Sequence, residues 1–438
     1  MGRGIRLLIA ALAATWLVST GLLSPLPTRG DDIPWQRYRG NLHTHTLWSD
    51  GDDYPEMVAL WYRDHGYDFV SFTDHNTLWR KEQWVDAANP QGGLVAYNKL
   101  KARFPEGWID ERTTATGRQQ IKLKMFDEVA SRVGSPGHFV IMQGEEITDR
   151  FHHCPIHFNA TNLKEPIPPM GGDSVRDVIQ RNTNALIAQR ERTGQPMAIH
   201  VNHPNFQYGV TAEDMARVHG ANLFEVYNGH TLVNNDGSED RASAERIWDI
   251  ILTRRIAELH LPLIYGLATD DAHEYHNIPS RANEPGRGWV VVIARELTPA
   301  AIIKSLERGM FYSSTGVMLD RVAPSARGIE VQVHAEEAVD YTIDFIGTRT
   351  GYDRSSEPVK TSNGFIIPTT RRYSNDIGRI LRTETGTQAE YIFDPSDLYV
   401  RARVTSTRKH PNPSVTGEYE RAWGQPVRGP AGWRFRPR

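Results

Sequence analysis

The sequence has almost no cysteine, since Cys154 is the one thiol among 438 residues. A single cysteine excludes a disulfide within the sequence, so the fold has to be stable without cross-links. Cys154 lies in the segment HHCPIH, where a metal ligand is one interpretation and a small packed side chain is the other.

An excess of charge of one sign is also missing. The formal net charge is −3, with 24% charged residues, so no basic field attracts the protein to nucleic acid or to an anionic membrane surface. We therefore expect a small-molecule partner and no nucleic acid. The hydrophobic content of 39% is sufficient for a buried core.

The N-terminus has the composition of an export signal. Arg3 and Arg6 precede the apolar run LLIAALAATWLVSTGLL at residues 7–23, and a basic region followed by an apolar run is typical of secretory signals. The run is just shorter than the roughly 18 residues of a membrane span. We predict that residues 1–30 are a signal peptide or an uncleaved anchor. The protein would then be exported, to the periplasm or the extracellular space, and would touch the membrane only through that anchor.

Short apolar runs alternate with helical patterns between residues 36 and about 320. Pro55 and Gly66 mark the start and end of one helix, and further helical patterns occupy residues 174–192 and 243–259. The apolar runs are FVSF, HFVIMQ, PMAIHV, NLFEVY and LPLIYGLAT. Buried strands that alternate with helices predict an α/β domain with a parallel sheet, either open or closed into a barrel.

Two regions depart from this alternation. Residues 77–137 are long for a connection and predict a helical insertion near the mouth of the site, either a lid or a solvated segment. After about residue 325, segments such as GIEVQVHAE, DYTIDFIG and LYVRARVTS alternate with period two, which predicts a small antiparallel β-sandwich. We place the first domain at residues 34–322 and the C-terminal all-β domain at residues 325–438.

Residues that bind metals follow the apolar runs. The segment NLHTHTLWSDG contains Asp50 together with His43 and His45, whose side chains would share one face of a strand. Six more donors follow later runs: His75, Glu146, His157, His203, Asp271 and His273. Turn-forming preferences explain one or two such positions, but they do not explain a histidine or glutamate after nearly every run.

These nine donors, six histidines and three carboxylates, exceed the three or four protein ligands of a mononuclear zinc site. They follow predicted strands, and strand ends form the catalytic face of α/β barrels. The set therefore predicts two or three divalent ions, and its ligand types suit zinc, manganese or iron. Such ions lower the pKa of a bound water to near neutrality, so we expect hydrolysis by a hydroxide that bridges metals.

The motifs LHTHTLWSDG, TDHN, GEEIT, NHP and TDDAH, in this order, resemble those of the PHP superfamily, named for polymerase and histidinol phosphatase. The resemblance implies a distorted (β/α)7 barrel with a trinuclear metal site, and a phosphoester substrate. The segments RGWVVV, LERGMFYSSTG and AWGQPV are similar, more loosely, to secreted PHP proteins of the carbaryl-hydrolase type, which carry a C-terminal β-domain.

The resemblance also implies three sets of ligands. The first set is His43, His45, Glu146 and Asp271; the second is Glu146, His157 and His203; the third is Asp50, His75 and His273. The family pattern G-x-E selects Glu146 rather than Glu145 as the bridging carboxylate, and it leaves Asp270 outside the sets.

Other residues have weaker indications. Asp74 is the candidate catalytic residue, because it could orient His75 or move protons; capping of the following turn is an equal alternative. The candidates for binding substrate are Arg150, His153, His230 and Arg281. Arg287 is a further candidate to hold an anionic substrate. For the arginines, a solvated surface position is the usual alternative.

Three functions remain open at this point. The leading one is an exported metal-dependent phosphoesterase. The first rival is a carboxylic or carbamate ester hydrolase that uses the same metal core, because such a core serves both kinds of bond. The second rival is an exported binding protein with a degenerate barrel.

Overall fold

The backbone consists of many short strands and seven α-helices in the part of the chain that the computed structural model describes, residues 34–325 and 327–435. The predicted signal or anchor lies outside these residues. The strands before the C-terminal region are β1 (Gln36–Asn41), β2 (Phe69–Phe72), β3 (Trp84–Asp86), β4 (Glu111–Thr113), β5 (Gln119–Lys122), β6 (Val140–Phe151), β7 (Cys154–Thr161), β8 (Ala198–Val201), β9 (Leu223–Asn228), β10 (Tyr265–Thr269), β11 (Trp289–Ala294) and β12 (Phe311–Ser314).

The later strands are β13 (Leu319–Pro324), β14 (Gly328–Val333), β15 (Tyr341–Arg349), β16 (Ser356–Glu357), β17 (Arg372–Tyr373), β18 (Arg379–Thr385), β19 (Gln388–Ile392), β20 (Asp397–Lys409), β21 (Tyr419–Gly424) and β22 (Val427–Arg428). The helices are α1 (Pro55–Asp64), α2 (Gly93–Arg103), α3 (Phe126–Val133), α4 (Val175–Thr193), α5 (Ala212–Ala216), α6 (Ala244–Ala257) and α7 (Pro299–Glu307), and a 3₁₀ turn covers Gly432–Arg434.

Seven strands lie side by side in the order β10-β9-β8-β7-β6-β2-β1. Neighbours run parallel except at β7, which is antiparallel to both β6 and β8. Just past the ends of β1 and β10, a parallel bridge joins Thr44 to Ala272. The predicted α/β class with a parallel sheet is therefore confirmed, and the reversed strand β7 is a departure from it.

The reversal of β7 has a local cause. Only His152 and His153 separate β6 from β7, whereas a parallel crossover needs a dozen or more residues. His152 turns the chain with a φ of 53°. The two strands therefore form a hairpin, with Glu146 paired with Asn159 and Thr148 paired with His157.

The helices begin and end at the signals that the sequence carries. Pro55 is the first residue of α1, and Gly66 follows its end with a φ of 74°. The hydroxyl of Ser174 caps α4 by accepting from the backbone N–H of Asp177, and Ser243 caps α6 in the same way.

The insertion at residues 77–137 is not only helical, as predicted, but contains a small sheet as well. Strands β3, β5 and β4 pair antiparallel; β3 precedes α2, and β4 and β5 lie between α2 and α3. Aromatic side chains attach the insertion to the first domain. The indole of Trp108 donates to Glu56 in α1, and Trp79 stacks on Trp48 in the loop after β1.

The C-terminal strands continue the large sheet. Strand β11 pairs antiparallel with β1, and β12, β21, β20, β15 and β18 follow outward, while β13, β14 and β19 form a separate sheet. Residues from Trp35 onward thus make one compact unit. Each helix within residues 34–325 and 327–435 is too short or too polar to span a bilayer.

The alternation predicted for β20 is present, and one arginine of its polar face is buried too. Val400, Ala402 and Val404 pack in the core, and Arg401 is also fully buried. Its guanidinium lies 2.8 Å from a carboxylate oxygen of Asp249 and 3.0 Å from one of Glu245, both in α6. These ion pairs join the C-terminal strands to a helix of the first domain.

Arg401→Met should therefore destabilise the protein. The substitution leaves the buried carboxylate of Asp249 without its cation, while Glu245 keeps its pair with Arg403. An unpaired buried charge of this kind costs about 3–5 kcal/mol in free energy of unfolding. Urea denaturation followed by circular dichroism measures this change. The matched control is Arg382→Met, which breaks the exposed pair with Glu384 and should cost less than about 1 kcal/mol. Equal effects of the two variants would contradict the role given to Arg401.

Candidate metal centre

All nine predicted ligands lie together, seven of them in the loops after β1, β2, β8 and β10 and two within strands β6 and β7. His43 and His45 come directly after β1 and are completely buried. The remaining members follow β1, β2, β8 or β10 or lie within β6 or β7: Asp50, His75, Glu146, His157, His203, Asp271 and His273. Their donor atoms form overlapping groups that could each hold a metal ion.

The first group surrounds the nitrogen atoms of the HxH pair. The Nε2 atoms of His43 and His45 lie 3.0 and 3.2 Å from Asp271 Oδ1. The same two nitrogens lie 3.5 and 3.4 Å from Glu146 Oε2. Four donors therefore face one another across a space of ionic size.

The second group uses the other oxygen of the same carboxylate. Glu146 Oε1 lies 3.0 Å from Nδ1 of His157 and 3.3 Å from Nε2 of His203. Asn202 donates to this oxygen from 2.8 Å. Glu146 is thus shared between two groups, as a bridging ligand would be.

The third group is nearer to solvent. Asp50 lies 3.4 Å from His75 Nε2, 3.5 Å from His273 Nε2 and 3.4 Å from His45 Nδ1. The side chain of Asp50 is 49% exposed, whereas those of His75 and His273 are 28% and 14% exposed. This group forms the open side of the cluster.

The residues fit divalent ions. The Nε2 atoms of His43 and His45 are buried and have no hydrogen-bond partner, which is costly unless something binds them. Ligands about 2.0–2.1 Å from a tetrahedral ion are about 3.3 Å apart, and the spacings around Asp271 and Glu146 are similar to this value. Imidazole and carboxylate together are ligands for borderline to hard divalent metals.

The electrostatics hold two of the ligands, Glu146 and His45, in the forms that bind metals, whereas neighbouring carboxylates outweigh burial and raise the pKa of His43, His75 and His273. Burial disfavours charge on Glu146, but His75, His43 and His157 outweigh it and hold the pKa of Glu146 well below its usual range. Burial, together with the neighbouring histidines His273 and His75, lowers the pKa of His45 to about 3. An ionised carboxylate and an unprotonated imidazole are the forms that coordinate.

Sequence reasoning missed the residues that hold these ligands. Glu225 lies in β9, is buried, and accepts from Nδ1 of His43 across 2.7 Å. Asn228 donates to Glu225 and, from 3.0 Å, to Asp271. A charged residue within the apolar run NLFEVY was the available signal, because a buried carboxylate needs partners. His200, in β8, is also buried beside Glu225.

Hydrogen-bond donors surround the carboxylate of Asp74, the residue before the ligand His75. It accepts hydrogen bonds from the backbone and hydroxyl of Thr46, the hydroxyl of Ser49 and the indole of Trp79. These contacts hold the loop after β1, and a catalytic role for Asp74 stays a prediction.

The two carboxylates excluded from the ligand sets lie elsewhere. Glu145 accepts from the backbone N–H of Ile167, and Asp270 accepts from the hydroxyl of Tyr62.

The predicted substrate-binding residues differ in position. The ring of His230 lies 5.4 Å from that of His273, at the edge of the cluster. Arg150, His153 and Arg281 are exposed, and none of them contacts a ligand within the described chain, so their role stays a prediction. Arg287 is instead a buried structural residue that donates to the backbone carbonyl of Gly229.

No protein-family model and no curated protein match the sequence. Solved structures do match it. A two-domain protein from Bacteroides vulgatus, described as containing a predicted PHP-like metal-dependent phosphoesterase, is 14% identical, with a TM-score of 0.40, over 90% of this chain and 95% of its own.

Two shorter matches accompany it. PsfC from Pseudomonas syringae is 16% identical, with a TM-score of 0.30, over 59% of this chain and 82% of its own. A candidate metal-dependent phosphoesterase from Bifidobacterium adolescentis is 13% identical, with a TM-score of 0.28, over 53% of this chain and 87% of its own. Two of these three proteins are described as predicted or candidate metal-dependent phosphoesterases, and one of the two is described as PHP-like.

Proposed function

We propose that the protein is a metal-dependent hydrolase of phosphoesters, built on a distorted (β/α)7 barrel of the PHP type. The observation that carries the proposal is the shared carboxylate of Glu146. One of its oxygens faces the unpartnered Nε2 atoms of His43 and His45, and the other faces His157 and His203. The three groups suit two or three ions of zinc, manganese or iron.

The ligand assignment follows the groups. His43, His45 and Asp271 would hold one ion, His157 and His203 a second, and Glu146 would contact both. Asp50, His75 and His273 would hold a third. Ions bound there supply an activated water at neutral pH and polarise the phosphoryl oxygen under attack.

The burial of the groups indicates the direction from which a substrate arrives. His43 and His45 are completely buried, whereas Asp50 is half exposed. A small ester would therefore reach the cluster from the side of Asp50 and His75. The ring of His230 lies beside His273 of the third group, and that of Phe206 lies beside His203 of the second, with 6.3 Å between the centroids of His230 and Phe206. Both rings would contact the substrate.

Two other functions are alternatives: a hydrolase that cleaves a different kind of ester bond, and a binding protein without catalytic activity. A carboxylic or carbamate ester hydrolase would use the same ligands, because the ions polarise a carbonyl oxygen equally well. A degenerate binding protein is less well supported, since all nine ligand positions carry competent side chains. Export and a small-molecule substrate complete the proposal.

Metal content tests the site. Purified wild-type protein should contain two or three equivalents of divalent metal by mass spectrometry. Glu146→Gln should lose at least one equivalent, because the shared oxygens no longer carry charge. Activity should fall at least about 100-fold, since metal ions contribute several kcal/mol to transition-state stabilisation.

The control for this test is Glu145→Gln. Glu145 is adjacent and buried but bonds to the backbone of Ile167 instead of the cluster. It should keep the metal content and activity of the wild type. Less than one equivalent of metal in the wild type, with no hydrolysis, would favour the binding protein.

A substrate panel separates the two hydrolases. We expect turnover of p-nitrophenyl phosphate or bis-p-nitrophenyl phosphate with added manganese or zinc, and loss of that turnover in His43→Ala and Asp271→Ala. Circular dichroism should show that both variants remain folded. Turnover of aryl acetates alone would favour the carboxylic ester hydrolase over the phosphoesterase. Near wild-type rates in either variant would contradict the assignment of His43 and Asp271 as metal ligands.

A further inference from the structure

Glu225 is a buried carboxylate that only donors surround. Its Oε1 lies 2.7 Å from Nδ1 of His43 and accepts from the hydroxyl of Thr269 across 2.8 Å. Its Oε2 accepts from the backbone N–H of His203 and from the side-chain amide of Asn228, both across 2.8 Å. Since both oxygens are fully used, the carboxylate has a fixed orientation.

The contact with His43 decides which ring nitrogen faces the metal groups. A carboxylate beside Nδ1 keeps the proton on that nitrogen. The lone pair of Nε2 then points at Asp271 and Glu146, 3.0 and 3.5 Å away. Carboxylate, imidazole and ion would form the triad that is common around metal ligands.

Glu225 also holds the backbone of His203, through a hydrogen bond from its N–H. His203 has a φ of 20°, and values above zero are uncommon for residues other than glycine. Its N–H donates to Glu225 Oε2, and its Nε2 lies 3.3 Å from Glu146. The backbone conformation that directs this side chain toward the second group therefore includes a hydrogen bond to Glu225.

A third connection runs through Asn228. The side-chain amide of Asn228 donates both to Glu225 and to Oδ2 of Asp271. Asp271 belongs to the first group, together with His43. By contrast, no described contact joins Glu225 to Asp50, His75 or His273.

We propose that Glu225 is a positioning residue for two of the three metal groups, acting on His43 and Asp271 in one and on His203 in the other. The inference rests on the proposed function, because it requires that the groups bind ions. It predicts a selective defect, in which two ions depend on Glu225 and the ion at Asp50, His75 and His273 does not.

Two substitutions separate positioning from charge. In Glu225→Gln, either orientation of the amide places an NH₂ group against donors, so one set of contacts must break. In Glu225→Asp the charge remains, but the carboxylate is one methylene shorter and cannot keep all four contacts. Glu145→Gln is the matched control, because Glu145 is equally buried and does not contact the cluster.

The experiment is a stepwise cobalt titration of metal-free protein, followed by visible absorption and by competition with a chelator. Circular dichroism and thermal unfolding without metal show whether each variant is folded. In both Glu225 variants we expect the affinity of two ions to fall about 10–100-fold, as is usual when a residue behind a metal ligand is lost. The third ion and the control should match the wild type.

Each other outcome overturns the inference. Unchanged affinities in folded Glu225→Gln and Glu225→Asp would do so while leaving the proposed function intact. An equal loss at all three ions, or loss of folded protein in both variants, would show a general structural role. A full effect in Glu225→Gln with none in Glu225→Asp would show that charge alone is required. A wild type that binds no cobalt would instead refute the proposed function itself.

Discussion

The cluster depends on the interactions of one buried carboxylate, that of Glu146, with the histidines around it. An ionised carboxylate without cations nearby would cost several kcal/mol in this environment. Here Oε1 faces His157 and His203, and Oε2 faces His43, His45 and His75. Because these histidines come from four different parts of the sheet, folding has to bring the strand ends together to satisfy a single side chain. The cost of burying Glu146 thereby becomes a constraint on the sheet as a whole.

The reversed strand β7 helps to meet this constraint. In the hairpin, Thr148 and His157 are direct partners, and Glu146 lies two residues earlier on the same face. Diagonal neighbours of this kind are within reach of long side chains, and His157 Nδ1 lies 3.0 Å from Glu146 Oε1. A hairpin with a two-residue connection therefore supplies two ligands from adjacent strands.

The sequence was most informative where chemistry and spacing coincide. His43, His45 and the residues of TDHN and TDDAH follow strands, so their convergence was predictable from the carboxyl ends of a parallel sheet. Glu225 was not predictable in the same way, because a single acidic residue in an apolar run does not indicate its partner. That partner, His43, is 182 residues away in the chain.

Departures from the predicted fold also have physical reasons. The sequence of residues 77–137 predicted helices but not the small sheet. Its strands have only three or four residues, which is too short to show a period of two. The burial of Arg401 was likewise hidden, since an arginine that alternates with apolar residues is typical of a solvated face. Only the packing of α6, which brings Asp249 and Glu245 against it, makes the second face of β20 part of the interior.

The loop before β21 contacts the end of β9, next to residues that hold the metal-competent cluster. The hydroxyl of Tyr227 lies 3.3 Å from Glu418, and Arg287 donates to the carbonyl of Asn412 and to that of Gly229. Tyr227 and Gly229 flank Asn228, which donates to Asp271. The loop before β21 thus holds the end of β9 through Tyr227 and, by way of Arg287, through Gly229. Since the same sheet runs from β10 to β18 without interruption, the C-terminal region stabilises the cluster through the backbone around Asn228.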